Sequence, residues 1–115
     1  MTMIKSYTDL EQSKVLAEIL PNESADMYYE PSLGFCTEPS EPKVGEIKYA
    51  HPRSIRCWSL AALLNVLPQG TRILKSSIDD TYHCDCPKEN IDKWFDNPID
   101  ACYKMILKLH KQKLL

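Results

Sequence analysis

The chain has 115 residues, 43% of them hydrophobic and 26% charged, with a net charge of −2. A single modest core fits this length, and the composition excludes a disordered chain, so residues 1–115 are read as one domain. The slight negative balance argues against nucleic acid or an acidic lipid surface as a partner. No run approaches the ~20 apolar residues that span a bilayer, and Met1 to Asp9 lacks an apolar leader core. The expectation is a cytoplasmic protein with no membrane partner.

Thr8 to Leu20 reads as a helix. Thr8 and Glu11 fit a capping box, Leu10, Leu16, Ala17, Ile19 and Leu20 give an apolar face, and Pro21 stops the run. Glu11, Lys14 and Glu18 fall on the solvent side. Ala25 to Glu30 reads as a short extended piece. Pro31 to Pro42 is rich in Pro, Ser and Glu, and is read as a long loop. Val44 to Tyr49 is a candidate strand that Pro52 ends.

The next helix is better marked. Ser59 is a natural N-cap and Trp58 is placed to staple onto Leu63. Leu60, Ala61, Leu63, Leu64 and Leu67 cover so much of the circumference that a central, core position is expected. Pro68-Gln69-Gly70 terminates it. Arg72 to Ile78 and Thr81 to Cys86 read as two strands of a hairpin joined through Asp79-Asp80, a poorer tight-turn pair than Asp-Gly. Pro87 to Asn90 reads as a loop, and Trp94 and Phe95 as plugs at the core edge. The last helix starts with Asn97 as cap, Pro98 in the first position and Asp100 at the positive end of the dipole. Ile99, Cys102, Tyr103, Ile106 and Leu109 form its apolar stripe, with Lys104, Lys108, Lys111 and Lys113 mostly off it.

The chemistry-bearing residues are few. Five cysteines, Cys36, Cys57, Cys84, Cys86 and Cys102, make an odd set without a secretory context, so reduced thiols are the default. His83-Cys84-Asp85-Cys86 is the dense cluster of metal-ligand types, and two thiolates with an imidazole suit zinc. Strand alternation puts Cys84 and Cys86 on one face and His83 and Asp85 on the other, so a closed site needs further ligands from Cys36, His51, Cys57 or Cys102. The simpler reading is small buried hydrophobes on the core side of the hairpin. Cys57 precedes a helix start, where the dipole lowers a thiol pKa and favours a nucleophile. Asp79 and Asp80 are adjacent, which suits a solvated turn better than an acid–base pair across a cleft. The lysines of the last helix, with His110, could meet phosphates, but their placement also complements the dipole. Trp94-Phe95 and Tyr28-Tyr29 are the aromatic pairs suited to an interface.

The run from Cys57 through Trp58-Ser59-Leu60 to Leu67-Pro68, followed by Asp96-Asn97-Pro98-Ile99-Asp100-Ala101 and Met105 to Leu109, resembles small proteins of gut anaerobic bacteria encoded in prophages and mobile elements. These pair a W-S-L-x-A-L-L-x-x-L-P helix with a closing D-N-P-x-D-A helix. The resemblance implies a shared fold and carries over no functional residue.

The sequence therefore points to an α+β fold, a small antiparallel sheet with about three helices packed on it. The leading function is a non-enzymatic accessory or protein-interaction protein of phage or mobile-element type, with a protein partner and with homo-oligomerisation left open. The alternatives are a small zinc module using His83, Cys84 and Cys86, and a small thiol or hydrolytic enzyme.

Overall fold

The computed structural model describes residues 5–30, 41–45, 53–87 and 89–115. The expected loop at 31–42 lies outside them except for its last two residues, as do Cys36, His51 and the segment 46–49 of the candidate strand. The described residues form three α-helices and two small three-stranded antiparallel sheets, an α+β fold. The chain divides into two compact units, residues 7–62 and residues 1–6 with 63–115.

In the unit of residues 7–62, α1 (Leu10–Ala17) is followed by a 3-10 turn (Asn22–Ser24), then β1 (Met27–Tyr29), β2 (Lys43–Val44) and β3 (Ile55–Cys57) in the sheet order β2-β1-β3. The cap falls one residue later than Thr8, and the helix itself begins at Leu10. Asp9 is the N-cap: its carboxylate accepts from the Gln12 N–H at 2.8 Å, and the Gln12 side chain accepts from the Asp9 N–H at 3.2 Å. Thr8 is instead fully buried and its hydroxyl is engaged by Ser13 and by the Trp58 N–H. The helix also ends earlier than Leu20. The Arg56 guanidinium donates to the Ala17 carbonyl at 2.6 Å, capping that end from β3. Leu10, Tyr29 and Cys57 form a core cluster with Tyr7, Met27 and Ile55 packed against it.

α2 (Leu60–Val66) has the expected cap, with Ser59 Oγ accepting from the Ala62 N–H at 3.2 Å. Its environment departs from expectation: Ala62 and Leu63 are buried, but Leu60 and Leu64 are half-buried and Ala61 is exposed. The helix therefore has one buried side rather than being enclosed all round.

In the other unit, β4 (Arg72–Lys75), β5 (Tyr82–Cys86) and β6 (Glu89–Asn90) make a sheet in that order. β4 stops at Lys75 rather than Ile78, because the Ser76 hydroxyl accepts from the Ile78 and Asp79 N–H groups and turns the chain into a loop. Glu89–Asn90, expected as loop, is a strand paired with Cys86 and Asp85. α3 (Pro98–Lys111) packs on β5 and buries Ile99, Ala101, Cys102, Met105, Ile106 and Leu109. Asn97 caps it, accepting from the Asp100 N–H at 2.8 Å. Tyr103 is half-buried, and Ala101 and Met105 take the burial expected of it. A Lys108 ion pair to Glu89 at 2.9 Å ties α3 to β6.

Candidate functional site

The sequence singled out β5, and the structure makes it the central strand of its sheet, with neighbours on both edges. The phase of the ladder fixes which side each residue serves. The Ser76 N–H donates to the Thr81 carbonyl at 2.9 Å, so Thr81, His83 and Asp85 face β4 with their backbone groups. Tyr82 exchanges both backbone bonds with Phe95, at 2.7 and 2.8 Å, so Tyr82, Cys84 and Cys86 turn theirs to the opposite edge.

The side chains alternate as expected. Cys84 and Cys86 lie buried on the face that α3 covers. Cys84 is in hydrogen-bonding contact with Cys102, and that contact, together with burial, pushes its thiol pKa far up. Burial also raises Cys86, whose sulfur lies 3.3 Å from Thr71 Oγ1. The Thr71 hydroxyl proton is committed to the Pro68 carbonyl at 2.6 Å, so the Cys86 S–H is the donor in that pair. Cys86 also borders a cleft of about 210 Å³ lined by Pro68, Gln69, Pro87, Leu109 and Leu114.

These groups are thiols rather than thiolates at neutral pH. Among the described residues no three His, Cys, Asp or Glu side chains form a group able to hold a metal ion. His83 is on the face opposite Cys84 and Cys86, so the strand does not gather the three zinc-ligand candidates on one side. Cys57 follows the same rule. The dipole expectation fails there because burial dominates and raises its pKa, with its sulfur held against Thr8. Asp79 and Asp80 share the exposed hairpin loop, where a Thr81 hydroxyl bond holds the Asp79 carboxyl below its usual range.

The other face of the sheet carries a different arrangement. Leu74 on β4 stands directly opposite His83. The Trp94 ring lies over His83 on the far side, with centroids 5.1 Å apart and planes tilted by 30°. Leu74, His83 and Trp94 thus form one row across the sheet. The next row is polar, with Arg72 paired to Asp85 and Asn90 opposite Asp85. His83 is only 9% exposed, whereas Trp94 is 46% and Leu74 39% exposed. Trp94, expected as a plug at the core edge, is thus nearly half exposed. It caps a buried histidine and leaves its own outer side in solvent.

The His83 ring has an incomplete set of partners. Its Nε2 is 2.8 Å from the Ile91 carbonyl, which can only accept, so Nε2 carries the proton. Among the described residues nothing partners the buried Nδ1. Leu74 was not legible as part of this site, because it reads as an ordinary strand residue. Its one signal is that it shares a face with the charged Arg72 rather than with Ile73. No family model, curated protein or solved structure matches the chain.

Proposed function

We propose that this chain is a non-enzymatic accessory protein that binds a protein partner through the outer face of its β4-β5-β6 sheet. The observation that carries the reading is the row Leu74–His83–Trp94: two large apolar side chains, both exposed, flank a buried histidine. Tryptophan is a favoured anchor of interfaces, and burying it with Leu74 removes apolar area from water at about 25 cal/mol per Å². The protonated, buried thiols of Cys57, Cys84 and Cys86 support a non-catalytic role, since a thiolate nucleophile needs the opposite shift. Reduced cysteines fit the cytoplasm, and the W-S-L and D-N-P helix pattern supports a phage or mobile-element setting.

The test is affinity capture from the source cells with the wild-type chain, with Leu74→Asp and Trp94→Asp, and with Glu18→Arg as an exposed control just past the end of α1. The expected result is one stoichiometric protein held by wild type and Glu18→Arg and lost by both sheet variants, all four giving the same circular dichroism. Retention of the partner by Trp94→Asp, or no stoichiometric partner with wild type, would contradict the reading.

A further inference from the structure

β4 is the outer strand of its sheet, and the ladder phase shows which of its groups are unused. Ser76 pairs with Thr81 through the backbone, and the register carries this hydrogen-bonded type to Leu74–His83 and Arg72–Asp85. Ile73 and Lys75 therefore turn their N–H and C=O groups away from β5. Among the described residues neither has a backbone partner on that side. The edge is also accessible, with Arg72, Leu74 and Lys75 exposed and Ile73 half-buried.

Its charges decide what fits. Arg72 stands on the outer face and Lys75 on the α3 side, so the edge presents a cation to each face of an added strand. Arg72 holds Asp85 through one guanidinium nitrogen and keeps further donors, and Lys75 reaches Asp80 only at 4.0 Å. Pairing of two copies through β4 would gather two Arg72 and two Lys75 side chains on one four-residue ladder, which like-charge repulsion opposes. An acidic strand has the opposite balance.

We infer that the partner is engaged by strand addition: an acidic, extended segment of another protein pairs with β4 through Ile73 and Lys75 and lays one side chain beside Leu74. This rests on the interaction reading above and names the chemical class of its partner. The backbone bonds supply a register, and Leu74 and the two cations supply the preference.

The experiment uses the full chain and three short synthetic peptides: one alternating valine and glutamate, its twin with the ladder-facing amides N-methylated, and a valine–lysine twin. Amide hydrogen exchange is read residue by residue by NMR. With the acidic peptide, exchange at Ile73 and Lys75 slows by about fivefold or more, while Leu74, already bonded to His83, is unchanged. The N-methylated peptide gives no protection and the lysine peptide gives less. Equal protection by the methylated peptide, or unchanged exchange at Ile73 and Lys75, overturns strand addition. If those amides stay unchanged while Trp94 fluorescence responds to the acidic peptide, strand addition falls and contact through the outer face stands. If neither responds, strand addition falls, and the capture experiment alone then judges the interaction reading.

Discussion

At the residue scale the cysteines give the sharpest test of the electrostatics. Cys57, Cys84 and Cys86 all have raised pKa values in the native chain, chiefly through burial and, for Cys84, through Cys102. The native state then keeps these protons longer than the unfolded chain, which releases them as pH rises through about 8.5. The stability these thiols contribute is whole below that pH and is lost above it, by up to about 1.4 kcal/mol per pH unit for each thiol. Urea midpoints measured between about pH 7.5 and 9.5 should fall with pH. Cys84→Ala should flatten that fall; an unchanged slope would show that Cys84 titrates normally. Trp58 belongs to the same scale. It is fully buried and its indole donates to Ser24 Oγ at 3.0 Å. Trp58→Ala should cost about 3–5 kcal/mol in denaturant unfolding, against under about 0.5 kcal/mol for exposed Glu18→Ala.

At the element scale, punctuation residues were legible and exact ends were not. Ser59, Asn97 and Pro98 act where the sequence placed them, because a cap works through one side chain and its own neighbouring N–H groups. The cap of α1 is Asp9 rather than Thr8 because the Thr8 hydroxyl is claimed by Ser13 and by Trp58, the latter far away in the sequence. The end of α1 and the end of β4 depend on Arg56 and on the Ser76 hydroxyl, which no periodicity encodes. Asp9→Ala should therefore cost about 0.5–2 kcal/mol as the lost α1 cap. Gly70 is a stricter case. Its φ is +89°, and a Cβ there would come within 2.9 Å of Pro87 Cγ. Gly70→Ala should destabilise the chain by about 1–3 kcal/mol, combining backbone strain with that contact. A neutral result in thermal unfolding would mean that the turn can reshape.

At the scale of the whole molecule, the α+β class was readable because helix periodicity, caps and a hairpin are local signals. The division of strands into two sheets was not, since it depends on which short strands meet. The candidate site was half legible. Alternation along Tyr82–Cys86 separated the thiols from His83, and Trp94-Phe95 stood out as an aromatic pair. The row Leu74–His83–Trp94 needed the register of β4 on β5 and the return of the chain past Phe95, neither of which two adjacent aromatics reveal. The same reading makes Trp94 part of a contact surface rather than of the core, so Trp94→Ala should change thermal stability by no more than about 1 kcal/mol while weakening partner binding. The most direct measurement of the central claim is photo-crosslinking in the source cells, with a photoreactive phenylalanine analogue at position 94 or, as control, at position 18. The account predicts one discrete cross-linked protein from position 94, absent from position 18 and abolished by Leu74→Asp. No adduct at position 94, or the same adducts from both positions, would contradict it.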